Sequence, residues 1–275
     1  MIIELIHLEL RRTLTRPATK TSVKGSQSII VMTSFFFEVC AESVEAACAA
    51  ESGGADRIEL CSRLSESGAT PTAELMAASA RAVSIPIYVL IRPRTGDFVF
   101  TPQEFELMCR QIDEAKAAGA SGVALGVLLE DGRVDVKRTR ELVEYARPLE
   151  TTFHRAFDET PDLNVALEQV IETGATGILT SGGATEVLQG ADRIGRLQQQ
   201  ADGRIHIIAG GGLRLASLVE VVRRAGIFSL HGSLTNSNGS AARKADTAQL
   251  EANIREAIRL LRTEYDQVAA QTQER

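Results

Sequence analysis

The sequence predicts a single (β/α)₈ barrel, on three observations. Eight short apolar runs alternate with stretches of helical period, at spacings of roughly 21 to 35 residues. The runs are continuously apolar, as strands are when both faces of a parallel sheet are covered. No Gly-x-Gly-x-x-Gly follows the first run, which lowers the doubly wound dinucleotide-binding alternative.

In order, the predicted strands are residues 35–40, 57–61, 87–92, 122–128, 151–156, 177–180, 205–209 and 228–231. A helix over 43–51 separates the first two and stops at Gly53-Gly54. Thr101-Pro102-Gln103-Glu104 opens the helix after the third strand with a capping box and a proline at its first position. Gly119-Ala120, Gly174-Ala175 and Ala225-Gly226 mark equivalent helix ends, where the chain turns back into a strand. A last helix over 247–265 closes the ring, and 266–275 reads as a flexible tail. The barrel therefore spans 35–265 as one domain. Residues 1–34, with Arg11, Arg12, Arg16, Lys20 and Lys24 among many Ser and Thr, read as a disordered or mis-assigned leader, with Met32 as a start just before the first strand. The same composition is compatible with a transit peptide.

Composition narrows the function. The 275 residues are 44% hydrophobic and 24% charged, with a net charge of -6, no Trp and few aromatics. Neither a nucleic-acid footprint nor a stacking platform is expected. No apolar run reaches the ~20 residues of a membrane span. Four cysteines do not make a disulfide framework in a chain of this length, which points to a reducing, cytoplasmic compartment. The five lysines all lie away from strand ends, which disfavours Schiff-base and PLP chemistry, and nicotinamide and flavin are not expected.

Barrels of this type build their sites at the C-terminal ends of the strands. Phe37-Glu38-Val39-Cys40 and, 21 residues later, Ile58-Glu59-Leu60-Cys61 each place a carboxylate and a thiol two residues apart, on one face of a strand. On neighbouring strands the two Glu and two Cys are expected to converge at matched heights. Arg92 and Arg94, held by Pro93, form a fork for a carboxylate or phosphate, with Asp97 nearby. They also suit structural ion pairs to Glu38 and Glu59.

His154 is the leading acid/base candidate, with Asp158 to orient it and Glu38 or Glu59 as partner, and Arg155 and Ser181 stand at adjacent strand ends. The plainer role for His154 is a hydrogen bond to Glu59 within a packed layer. Gly210-Gly211-Gly212 and His231-Gly232-Ser233 occupy the corner where this fold commonly holds anions. Cys40 and Cys61 suit a soft metal such as Cu(I), or simply fill the core; Cys48 and Cys109 are assigned to packing and His206 to the stability face.

These motifs resemble the CutC copper homeostasis protein family. The resemblance is carried by Phe37 to Cys40, Gly53 to Cys61, Ile91 to Phe98, Glu130-Asp131-Gly132, Thr152 to Asp158, Leu179 to Gly183 and the closing Gly-Gly-Gly and His-Gly-Ser pieces. It implies a cytoplasmic, commonly oligomeric barrel with a copper role, and Cu(I) on Cys40 and Cys61. Arg63 and Thr95 depart from the small residues usual there. A Cu(I) carrier has no need of two Arg, a His and two Glu. The residues therefore also support an acid/base enzyme acting on a small anionic or polyhydroxylated substrate. A barrel with a lapsed site serving as an interaction partner ranks last.

Overall fold

The computed structural model describes residues 35–234 and 247–273. Expectations for residues 1–34 lie outside them. Eight parallel strands close in sequence order, β1 (Phe36–Ala41), β2 (Arg57–Leu60), β3 (Ile87–Leu90), β4 (Gly122–Leu125), β5 (Glu150–Phe153), β6 (Gly177–Thr180), β7 (His206–Ala209) and β8 (Ser229–Gly232). Around them run α1 (Val44–Gly53), α2 (Ala73–Ala82), α3 (Pro102–Ala118), α4 (Val136–Ala146), α5 (Leu163–Thr173), α6 (Val187–Ala201), α7 (Leu215–Ala225) and α8 (Thr247–Gln273).

Local chemistry explains the helix ends. Ser43 accepts the Ala46 amide at the start of α1, and Gly54 ends it at φ 95°, a conformation that costs glycine little. Thr101 and Glu104 form the predicted capping box of α3. Met108, Ile112 and Ala115 of that helix are fully buried, one stripe at intervals of four and three. Burying each large side chain of this kind contributes about 1.5–3 kcal/mol.

The strands are shorter than the apolar runs. β4 stops at Leu125, and Leu128 returns only as an isolated bridge to Val134. β5 stops at Phe153 because the chain turns into a short 3₁₀ segment, Arg155–Glu159, whose first free amide, that of Ala156, is taken by the His154 ring. α8 runs on through Gln273, two turns past the end placed at Tyr265, and residues 266–268 of the extension are exposed.

Register departs from the matched-height expectation. Glu38 pairs with Arg57 and Cys40 with Glu59, a stagger of two residues between β1 and β2. On the other side Glu38 pairs with His231 of β8. The stagger is the shear a tilted, closed barrel requires. It places Arg57, Glu38 and His231 side by side across three strands.

Candidate metal and ligand site

The upper end of the barrel holds a cleft of about 680 Å³, with Cys40, Glu59, Arg92, His154, Arg155 and His231 among its lining residues. Gly211, Gly212, Gly232 and Ser233 complete the wall where the anion corner was expected, and Asp97 stands at the rim.

Its floor is a chain of buried polar groups. Arg57 Nε donates to Glu38 Oε2, and Glu38 Oε1 lies 2.8 Å from His231 Nδ1. The guanidinium also sits 3.7 Å from the Tyr88 ring centroid. Burial alone would raise the Glu38 pKa, but Arg57 and His231 outweigh it and hold the carboxyl at about 2. Glu38 is therefore ionised, so His231 Nδ1 carries the proton it donates, and Nε2 looks toward Glu59 Oε2 at 3.8 Å. Burial raises the Glu59 pKa, with the nearby Glu38 charge adding to it. Burial works against a charged His231, yet Glu59 and Glu38 together raise its pKa.

The two thiols meet. Cys40 Sγ and Cys61 Sγ are 3.4 Å apart, both sulfurs free and both residues buried. Their mutual hydrogen bond, then burial, push the Cys40 pKa well above its ordinary value. The donor atoms of Cys40, Glu59 and His231 all lie within 4.8 Å of one another. This donor set fits a thiophilic ion.

His154 occupies a different part of the wall, and its expected partners are elsewhere. Asp158 does not orient it. That carboxylate instead accepts from the Ser181 and Gly183 amides, Thr180 Oγ1 and Arg155 Nε, and so clamps the β6 loop. Glu38 is engaged by Arg57 and His231, so it is not the partner of His154 either. The His154 ring accepts the Ala156 amide at Nδ1, which leaves the proton on Nε2, and Nε2 has no hydrogen-bond partner. Burial, then the charge of Arg92, depress its pKa to about 3. At neutral pH it is a neutral imidazole that turns Nε2–H toward the cleft.

The two arginines expected to form a fork hold loops as well, and Arg92 Nε is left without a hydrogen-bond partner. Arg94 is tied to Asp97, Glu104 and the Val99 carbonyl, and shapes its own loop. Arg92 faces the cleft but gives N–H groups to the Ser67, Gly68 and Gly96 carbonyls and stacks over Phe98. Neither pairs with Glu38 or Glu59, whose counter-charges are Arg57 and His231. Arg155 is the more available guanidinium: Nε meets Asp158, one amino group meets Ser181 Oγ, and its side chain stays 40% exposed. Ser181 is fully buried and its hydroxyl donates a hydrogen bond to the Ala184 carbonyl, which makes it a support for Arg155. His206 opens β7 at an exposed position and bonds Ser229 Oγ at 2.7 Å.

Arg57 is the residue sequence reasoning missed. Its signal was present: a charged residue opening an apolar run inside a barrel needs a buried counter-charge.

Comparison with known proteins identifies the family. The CutC family model matches residues 35–236. The chain belongs to the CutC family. A CutC family protein of Caulobacter vibrioides is 46% identical over 196 residues, covering 71% of this chain and 80% of that one. The human copper homeostasis protein cutC homolog is 44% identical over 206 residues, 75% and 76% of the two chains. The crystal structure of a CutC from Streptococcus agalactiae superposes with a TM-score of 0.70 at 27% identity, over 74% of this chain and all of that one. Among the described residues no helix is long and apolar enough to cross a membrane.

Proposed function

We propose that this CutC-family barrel binds Cu(I) through Cys40 and Cys61 and takes part in copper homeostasis in a reducing, cytoplasmic compartment. The observation that carries the reading is the pair of free thiols 3.4 Å apart, Cys40 within β1 and Cys61 just past the end of β2, with Cys40 lining the cleft. Cu(I) accepts few, soft ligands, and two thiolates so placed supply them without rearranging the backbone. Bound there, the ion would be held by sulfur and screened from bulk water by the barrel. The test is Cu(I) titration of the reduced protein against a competing chelator. Tight one-to-one binding that disappears in Cys40→Ser/Cys61→Ser supports the reading; binding indifferent to that double substitution ends it.

A second reading, an enzyme for a small anionic or polyhydroxylated compound, is favoured by one observation. A buried donor left without a partner costs about 1–3 kcal/mol, and His154 Nε2 is such a donor in the wall of a cleft that Arg155 also lines. A ligand oxygen would satisfy it. In this reading His154 polarises or orients, Arg155 and the Gly211-Gly212 turn hold the anion, and acid/base work falls to Glu59 and His231. Inorganic phosphate and small sugar phosphates should raise the melting temperature of the wild type and not of Arg155→Ala. Equal shifts in both proteins would remove Arg155 from the site.

A further inference from the structure

We infer that Cys40, Glu59 and His231 form a site for a divalent ion of the zinc class, with three protein ligands and a fourth position open to the cleft. The inference does not rest on the Cu(I) reading, with which it shares only Cys40.

Four observations converge. The three donor atoms already lie within 4.8 Å of one another, from three consecutive strands of a closed sheet, so little reorganisation is needed to surround an ion. The His231 ring is prepared as a ligand: Nδ1–H donates to Glu38 Oε1 at 2.8 Å, Arg57 fixes Glu38 from behind, and Nε2 is left toward Glu59 and Cys40. A carboxylate on the far nitrogen is the usual support of a metal-bound imidazole. Glu59 is a carboxylate 6% exposed. Among the described residues its ion-pair contact is His231 at 3.8 Å, and the Arg57 guanidinium, bonded to Glu38, acts on it only from farther away. Finally, Cys40, Glu59 and His231 all line the cleft, whereas Cys61 is 1% exposed and does not.

Donor chemistry then chooses the ion. A carboxylate adds little for Cu(I), which prefers sulfur and imidazole, but thiolate, imidazole and carboxylate together suit Zn²⁺. One thiolate and one carboxylate also balance a charge of two, with the imidazole neutral. Three protein ligands with an open fourth position is the arrangement of zinc sites that bind and polarise a water or substrate oxygen. Sharing Cys40 makes Zn²⁺ and Cu(I) mutually exclusive at this end of the barrel.

The test uses the reduced, tag-free, metal-stripped chain with Zn²⁺ alone against a chromophoric chelator, and Co²⁺ alone for spectroscopy. The expected result is one Zn²⁺ per chain, and a Co²⁺ complex with a sulfur-to-metal charge-transfer band and the intense visible absorption of a four-coordinate site. Cys40→Ser should abolish the charge-transfer band. Glu59→Gln and His231→Gln should each weaken Zn²⁺ at least tenfold in protein whose far-ultraviolet dichroism is unchanged. Cys61→Ser should bind Zn²⁺ as the wild type does while losing Cu(I). A wild type that takes up no Zn²⁺, or a Co²⁺ complex without sulfur charge transfer, overturns the site whatever the variants do. Loss of Zn²⁺ in Cys61→Ser also overturns it, by moving the ion onto the cysteine pair.

Discussion

Glu38 and Arg57 carry opposite charges in a place where neither can reach bulk water. Glu38 is 2% exposed and Arg57 8%, so each needs buried partners: Glu38 has Arg57 and His231, and Arg57 has Glu38 as its ion-pair partner. Glu38→Gln would leave the guanidinium buried without its counter-charge and should cost about 3–5 kcal/mol in urea unfolding. Adding Arg57→Met should recover part of that loss, because the orphaned charge goes with it. A double variant less stable than the single would contradict the pairing.

His154 supplies a second residue-scale prediction. Its folded pKa of about 3 lies below the ordinary value of 6.5, so between those pH values the unfolded chain binds the extra proton. Its contribution is thus complete above pH ~6.5 and is lost as pH falls toward the folded value, at up to ~1.4 kcal/mol per pH unit. Stability should fall on acidification from pH 6.5, and His154→Gln should make that fall shallower. An unchanged slope of melting temperature against pH would show that His154 is not the group responsible.

Part of the candidate site was legible: successive apolar runs each carry a thiol and a carboxylate two apart, and of these Cys40 and Glu59 line the cleft. The partnerships were not legible. They depend on the two-residue stagger between β1 and β2, which comes from barrel closure and leaves no local trace in the sequence.

At the scale of elements, α6 meets the loop after β6 more closely than side chains would allow. A Cβ on Gly190 would lie 1.8 Å from the Ser181 carbonyl oxygen. That contact holds the loop whose amides Asp158 binds, and Asp158 in turn holds Arg155 at the cleft. Gly190→Ala must push helix and loop apart, at a cost of at least ~1–3 kcal/mol in chemical denaturation. It should also weaken any phosphate-dependent thermal shift, since the perturbation reaches Arg155. The elements themselves were readable from period and caps, as Thr101 to Glu104 and Gly54 show, because those signals are local. Strand ends were less readable. An apolar run continues past Leu125 and Phe153 since the turn that follows is itself buried, and hydropathy does not distinguish the two.

For the whole molecule the decisive joint is where the last helix meets the first. A Cβ on Gly53 of α1 would approach Ile254 of α8 to 2.7 Å, so the two helices pack backbone against side chain. Ile254, Ala257 and Leu261 are fully buried, and Glu264 pairs with Arg223 of α7. α8 thus bridges the helix after β1 and the helix after β7, covering the seam where β8 pairs with β1. Ile254→Ala should cost about 2–5 kcal/mol by opening a cavity in that joint, which for a chain of this size lowers the melting temperature by roughly 5–15 °C. Beyond Glu264 the helix turns outward, with residues 266–268 exposed. Truncation after Val268 should therefore shift the melting temperature by no more than about 2 °C, since among the described residues it removes no buried side chain. Similar losses from the truncation and from Ile254→Ala would mean that the outer turns, not the buried stripe, close the barrel.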